Sequence, residues 1–484
     1  MTALDAMVAE VKRAPAGPQL GAFFDVDGTV IDGFSALAFY RHRARSFDIG
    51  LSEAARTLAF GLQRGEVSTE RFAEFMALAI GSWAGSSEQE MEELGAKLFR
   101  TDIASTLFPE AWALICAHRA RGHTIVLASS ATRFQVRPLA EELGVEDVLC
   151  SPVQVHDGIV TGRLAGSPLW GAPKADAARE LAAARDIDLE SSFAYSNGYE
   201  DLPLLELVGR PRPLNPEPKL ERVAQQRGWP ARSFRPQGRP GVTDLARTAA
   251  AYGGLFAGFG VGFGLGLLNG SRRHGVDLGM GLAGDLSLAL AGVDVDVQYA
   301  ERLAAHRPAV FIFNHQSPLD VPVLCKLLRG GFTGVAKREA AFSPVGPAFW
   351  AADVAFVDRR NSKQAREALE PAVQRLRRGM SLVIAPEGTR SISPRLGPFK
   401  KGGFHVARQA GVPVVPLVLR NTGAAMWRDA KVMRRATIDV YVHEPIDVGA
   451  WRPNQLDKRV KEVRQLYSDT LADWPAAGRN GHSS

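Results

Sequence analysis

Two groups of residues carry chemistry, one in each half of the chain. In the C-terminal half, His315-x4-Asp320 directly follows the apolar run Ala309-Val310-Phe311-Ile312-Phe313. A carboxylate placed there can turn back to the imidazole, orient the ring and stabilise its protonated form. The other ring nitrogen is then ready to take a proton from a bound hydroxyl. This is the logic of a catalytic triad with the nucleophile supplied by the substrate. The plainer alternative is a helix-capping aspartate beside a loop histidine. In the N-terminal half, Gly21-Ala22-Phe23-Phe24-Asp25-Val26-Asp27-Gly28-Thr29 ends an apolar strand in two carboxylates. Strand alternation points Asp25 and Asp27 the same way. One can attack a phosphoryl group while the other handles the leaving group's proton, and Mg²⁺ would screen the charge. The plainer alternative is an acidic turn with Gly28 in a tight bend.

The surrounding sequence supplies elements to hold these groups. Phe311 to Phe313 read as a buried strand, and Ser317-Pro318 as a helix start with serine as N-cap and proline in the first position. Asp320 then falls in the first helical turn. Downstream, Ser381 to Ala385 read as another buried strand, after which Pro386-Glu387-Gly388 turns the chain. Gly388 allows close backbone approach to a ligand, and Arg390 brings a fork of donors suited to phosphate. Lys337-Arg338 and Asp358-Arg359-Arg360 add cations, which could equally form a solvated basic face.

Taken in order, His315-x4-Asp320, Phe356-Val357-Asp358-Arg359, Pro386-Glu387-Gly388-Thr389-Arg390-Ser391 and Val412-Pro413-Val414-Val415-Pro416 resemble the four motifs of the glycerolipid acyltransferases, the bacterial 1-acylglycerol-3-phosphate acyltransferases above all. The resemblance spans about residues 275–470. It implies His315 as general base with Asp320 as its partner, an acyl-acceptor site built by Arg359, Glu387, Gly388 and Arg390, and a phosphate-facing Lys337. It further implies acyl-CoA or acyl-carrier protein as donor, lysophosphatidate as acceptor, phosphatidate as product and no cofactor.

In the N-terminal half, the strand Thr124 to Ala128 ends at Ser129, Lys174 opens an alanine-rich helix, and Tyr195-Ser196-Asn197-Gly198-Tyr199-Glu200-Asp201 forms an acidic loop after a further strand. This order resembles the haloacid dehalogenase superfamily of phosphohydrolases, most of all its phosphoserine-phosphatase-type branch with an inserted helical cap. The resemblance implies Asp25 as nucleophile, Asp27 as general acid/base, Ser129 and Lys174 as phosphate contacts, and Mg²⁺ held by Asp25, Asp27, Asn197 and Asp201. Asn197 departs from the family, which usually has aspartate there; it removes a charge from the metal site, and Glu200 is a candidate to compensate.

The 484 residues suffice for two or three domains, and 46% hydrophobic content supports substantial cores. A formal charge of +6 without a basic stripe interleaved with aromatics argues against nucleic acid as a partner. It suits anionic lipid surfaces and phosphorylated substrates. Cys116, Cys150 and Cys325 are scattered and odd in number, against a disulfide scaffold or a zinc site. No apolar run resembling a secretory signal occurs near Met1, so the cytoplasm is the expected compartment.

Between the halves, residues 248–271 carry no charge, and Gly254, Gly258, Gly262, Gly266 and Gly270 recur at spacing of four, on one helical face. The segment could span a bilayer, dip into one leaflet or pack as a buried helix; a monotopic or re-entrant element is favoured, with both domains on the cytoplasmic face of the membrane. The expected fold is α/β: a doubly wound parallel sheet with an inserted helical cap, then a second α/β acyltransferase domain with a membrane-associating glycine-rich segment. The expected boundaries are 18–236 for the phosphohydrolase-like domain (cap about 34–106), 237–272 for the linker and glycine-rich segment, 273–470 for the acyltransferase domain and 471–484 for a disordered tail. The activity expected is 1-acylglycerol-3-phosphate acyl transfer joined to Mg²⁺-dependent phosphomonoester hydrolysis. The alternatives are a phosphatase as the main activity, acting on phosphoserine or phosphatidate, and a non-catalytic lipid-binding scaffold.

Overall fold

A computed structural model describes residues 3–45, 68–234, 241–357, 370–428 and 430–475. The chain divides into two compact units, Met1–Gly238 and Arg239–Ser484. The expected tail from 476 onwards lies outside the described residues, whereas 471–475 do not form a tail: the last helix, Leu456–Ala472, runs into them.

In the first unit, strands β1 (Gly21–Phe24), β2 (Thr124–Thr132) and β3 (Asp147–Ser151) join β6 (Phe193–Ser196) and β7 (Arg210–Pro213) in the order β3-β2-β1-β6-β7. All of the pairings are parallel. Such a sheet buries both faces, so its strands read as short continuous apolar runs. Phe23, Val126, Ala128 and Ala194 pack on one face against Ala175, Ala178 and Ala182 of the helix Ala172–Ala184. The helices Ser35–Arg45, Thr69–Gly81 and Glu88–Leu98 lie within the stretch expected to form a cap. An antiparallel hairpin, β4 (Val153–His156) with β5 (Ile159–Leu164), forms a separate two-stranded sheet that the sequence did not lead us to expect.

The second unit holds a seven-stranded sheet. Its strands are β8 (Val293–Gln298), β9 (Val310–Phe313), β10 (Phe332–Lys337), β11 (Ala355–Val357), β12 (Ser381–Ile384), β13 (Val414–Arg420) and β14 (Ala436–Val442), in the order β11-β10-β12-β9-β13-β14-β8. Only β13 and β14 pair antiparallel. Along β9, Phe311 and Phe313 enter one core while Val310 and Ile312 enter the other. This alternation explains why a central strand carries no polar residue.

The glycine-rich segment is one helix of 27 residues, Val242–Leu268, followed by the helix Arg272–Ala291. Gly254, Gly258, Gly262 and Gly266 are its buried face. A Cβ at Gly258 would stand 2.3 Å from the backbone nitrogen of Ala283, and one at Gly262 would stand 2.4 Å from Gly275 O and Gly279 Cα. The glycines therefore exist to let two backbones touch, which offsets their poor helix propensity. Phe256, Val261, Phe263, Leu267 and Leu268 are exposed on the same helix.

Candidate active sites

Strand register brings the second unit's residues together. Ile312 of β9 pairs with Ile384 of β12, so the chain leaves both strands side by side, with His315 and Glu387 each three residues further on. His315 Nδ1 lies 2.7 Å from Asp320 Oδ2, and Asp320 is fully buried. The same carboxylate oxygen accepts the backbone N–H of Gln316 (2.8 Å) and of Ser317 (2.9 Å). The expected helix start is corrected here. The helix begins at Asp320 with Leu319 in the cap position, so Ser317 lies before it; the Ser317 hydroxyl accepts the Leu319 N–H at 3.0 Å and donates to Met426 O at 2.6 Å.

Glu387 also departs from expectation. Instead of facing an acceptor, its buried carboxylate takes the His315 N–H (2.9 Å), the Ser391 hydroxyl (2.7 Å) and the Gly397 N–H (2.8 Å). Ser391 N–H returns a bond of 2.7 Å to His315 O. Burial raises the Glu387 carboxyl above its ordinary range, against the opposing pull of these donors. Glu387 thus braces the histidine loop from beneath.

His315, Lys337, Gly388 and Arg390 all line one cavity of about 1480 Å³. Its apolar wall includes Leu255, Phe259, Phe313, Val345 and Phe349, and Lys400 and Arg428 also reach it. Arg390 Nη1 donates to Arg428 O at 2.6 Å, and Arg428 Nη1 to Arg390 O at 2.9 Å. Arg359 lies outside the described residues. Ser391, Gly397, Lys400 and Arg428 were missed from sequence; Ser391 stood at the end of a quoted motif, whereas the others carried no local signal.

In the first unit, β1 leads directly into Asp25, whose N–H donates to Tyr195 O of β6 at 2.9 Å. Lys174 is almost fully buried and donates to Asp25 Oδ1 at 2.9 Å and to Asp201 at 2.8 Å. Thr29 Oγ1 lies 3.0 Å from Asp25 Oδ2 and 3.1 Å from Asn197 Oδ1, within hydrogen-bond reach of both. Asp25, Lys174, Asn197 and Asp201 therefore form one connected group. Ser129 is buried close by in sequence to the strand end, inside β2, which shifts register after Ala128 rather than ending there. Asp27 is held by Ser35, whose N–H (2.8 Å) and Oγ (3.1 Å) bind its two oxygens, so it also caps the helix Ser35–Arg45.

Burial pushes Asp25 up to about 7, with Lys174 opposing and Asp201 reinforcing. Burial likewise pushes Asp27 up to about 6 against its bonds to Ser35. Burial, then Asp201, raises Glu200 to about 8. Burial disfavours the Lys174 ammonium, yet Asp201 and Asp25 outweigh it and hold the group charged. Among the described residues, no group of three or more His, Cys, Asp or Glu side chains is arranged to hold a metal ion. The donors of Asp25, Asp201 and the Asn197 amide are all hard oxygens joined through Lys174 and Thr29, a set that suits Mg²⁺. The Asp27 carboxylate, committed to Ser35, drops out of the expected ligand set.

Comparison with known proteins agrees with this division. Residues 22–206 match the haloacid dehalogenase-like hydrolase family and residues 294–420 the acyltransferase family. The chain is 34% identical over 225 residues to an inhibition of morphological differentiation protein of Streptomyces azureus, covering 45% of this chain and 79% of that protein. It is 32% identical over 253 residues to phosphoserine phosphatase SerB1 of Mycobacterium tuberculosis, covering 51% and 82%. It is 34% identical over 192 residues to the 1-acyl-sn-glycerol-3-phosphate acyltransferase of Limnanthes alba, covering 39% and 68%. The chain belongs to both families, as a fusion of a haloacid dehalogenase-like hydrolase with an acyltransferase.

Proposed function

We propose that the second unit transfers an acyl group from acyl-CoA or acyl-carrier protein to the free hydroxyl of lysophosphatidate, yielding phosphatidate. The carrying observation is the His315–Asp320 pair at the wall of a large, largely apolar cavity that also holds Gly388 and Arg390. With Nδ1–H donated to Asp320, the Nε2 lone pair is the free base; Nε2 has no hydrogen-bond partner among the described residues. It takes the hydroxyl proton as that oxygen attacks the thioester carbonyl. The new C–O bond forms, the C–S bond breaks, and the proton passes from His315 to the departing thiolate. Lys337, Arg359 and Arg390 hold the acceptor's phosphate. Glu387 keeps the loop, and with it the imidazole, in register.

The first unit hydrolyses a phosphomonoester. Asp25 attacks phosphorus as the ester P–O bond breaks, and Asp27 delivers the leaving group's proton; water then cleaves the aspartyl-phosphate, returning a proton to Asp27 and releasing phosphate, while Lys174 balances negative charge between Asp25 and Asp201. Ser129 contacts the phosphate. Mg²⁺ held by Asp25, Asn197 and Asp201 would screen the phosphate's charge. The raised affinity of Asp27 for its proton, given burial, suits an acid that works near neutral pH.

Among the described residues, one helix is long and apolar enough to cross a membrane, Val242–Leu268. Its glycine face is spent on the helix Arg272–Ala291, which leaves Phe256, Phe263, Leu267 and Leu268 for a lipid surface. That exposed apolar face suits contact with lipid. The test of the whole reading is mass spectrometry of full-length protein with lysophosphatidate, acyl-CoA and Mg²⁺, beside His315→Ala. Phosphatidate from the unmutated protein alone supports the acyltransferase; acylated lipid from His315→Ala removes His315 as base.

A further inference from the structure

Resting on the acyltransferase reading above, we propose that Lys400 is a direct ligand of the acceptor's phosphate, laid across Gly388 to meet it. No motif in the sequence pointed to this lysine. Its backbone N–H donates to Pro386 O at 2.7 Å, so its stretch of chain is tied to the Pro386-Glu387-Gly388 turn. The side chain then runs back over that turn. A Cβ at Gly388 would stand 2.9 Å from Lys400 Nζ and 3.1 Å from both Cδ and Cε. Gly388 also has φ of +73°, which disfavours a side chain independently. The space that a residue other than glycine would fill is occupied by the lysine.

The position selects the ligand. Gly388 and Lys400 line the same cavity as His315. The turn that Lys400 covers is fastened to the His315 loop from both sides, through Glu387 and through Ser391 N–H at 2.7 Å from His315 O. In lysophosphatidate the phosphate ester sits on the carbon next to the one bearing the reacting hydroxyl. Wherever that hydroxyl meets His315, the phosphate must be close at hand. The phosphates of an acyl-CoA lie at the far end of its pantetheine arm, away from the thioester.

Charge argues the same way. A phosphomonoester is close to doubly negative at neutral pH. Arg390 and Arg428 each commit one guanidinium nitrogen to the other's backbone carbonyl. The adjacent Lys401 is paired with Asp457 at 2.6 Å, whereas Lys400 is exposed to the cavity and makes no ion pair among the described residues. An ammonium with three donors is therefore presented to the cavity that Arg390 also lines, where a tetrahedral dianion needs more than one cation.

The experiment compares unmutated full-length protein with Lys400→Gln and Lys400→Arg, by calorimetric titration of lysophosphatidate and by steady-state acyl transfer. Lys400 is exposed, so neither change should disturb folding, which circular dichroism checks. Losing one charge-assisted bond should weaken lysophosphatidate binding about ten- to hundredfold in Lys400→Gln. Lys400→Arg should recover most of it, and the KM for acyl-CoA should hold. Unchanged lysophosphatidate affinity in Lys400→Gln overturns the proposal, as does a loss that appears in the KM for acyl-CoA instead. An unmutated protein that binds lysophosphatidate without turning it over sinks the acyltransferase reading, and the binding comparison still decides the role of Lys400. Absence of any binding by the unmutated protein overturns both.

Discussion

The buried Asp320 Oδ2 accepts three hydrogen bonds at once, from His315 Nδ1 at 2.7 Å and from the backbone N–H groups of Gln316 and Ser317. One oxygen thus shapes the histidine loop and sets the imidazole tautomer. Asp320→Asn keeps the volume but can present an N–H where the imidazole needs an acceptor. We expect acyl transfer to fall about 10³–10⁴-fold, by analogy with the asparagine variant of a serine-protease triad. Phosphate release by the same protein should be untouched. A kcat within tenfold of the unmutated value would show that Asp320 does not set the tautomer.

Glu387 separates bracing from acceptor binding. Glu387→Ala strands the His315 and Gly397 N–H groups in a buried setting, which should cost about 2–4 kcal/mol in denaturant unfolding. Glu387→Gln retains an acceptor for one of them and should lie between. In both variants the acyl-transfer loss should sit in kcat. A rise confined to the KM for lysophosphatidate would return Glu387 to the acceptor site.

The glycine helix predicts opposite signs for neighbouring glycines. Gly258→Leu drives a side chain into the backbone of Ala283, where a Cβ has only 2.3 Å, and should destabilise by about 2–3 kcal/mol. Gly260 has nothing within 4 Å of a Cβ. Gly260→Ala should stabilise by about 0.5–1 kcal/mol through helix propensity alone. Thermal unfolding of the two variants reads both signs, and equal effects would contradict the packing.

Lys174→Met removes the cation between Asp25 and Asp201. Measured without Mg²⁺, the first unit should lose about 3–5 kcal/mol near neutral pH, because Asp25 and Asp201 lose their shared cation and the buried pair must take up a proton instead. The loss should shrink as pH is lowered and one of them takes up a proton. A pH-independent loss would point to packing instead.

His118 gives the first unit an acid-sensitive term. It is buried against His123 Nδ1 (2.7 Å) and Tyr195 OH (2.8 Å), and burial, reinforced by His123, lowers it from 6.5 to about 3. The unfolded chain takes the proton near 6.5 and the folded chain only near 3, so this contribution to stability is lost as pH falls through that window. The slope approaches about 1.4 kcal/mol per pH unit while one proton separates the states. His118→Asn should flatten the denaturation-midpoint profile between pH 6 and 4, roughly the interval in which the two states differ by that proton. An unchanged slope would assign the acid sensitivity to other groups.

Much of the protein was legible in its sequence because its chemistry is local. Strand, turn and charged residue follow one another within a few positions in Phe311–Asp320, Ser381–Arg390 and Gly21–Thr29, and each local pattern survives in the fold. The spacing of Gly254, Gly258, Gly262 and Gly266 likewise announced a helix with one small-residue face. What that face meets was not local. Lipid, a core or a second helix would each accept small residues, and only the neighbouring backbone of Gly275, Gly279 and Ala283 decided among them. The direction of a carboxylate was equally out of reach. Glu387 turns inward and Asp27 towards Ser35 because donors from elsewhere in the chain converge on them. Lys400 covers Gly388 through a backbone bond to Pro386 that no periodicity encodes. Residue type and spacing determine which groups are available for chemistry; the register of β9 against β12 decides which of them meet.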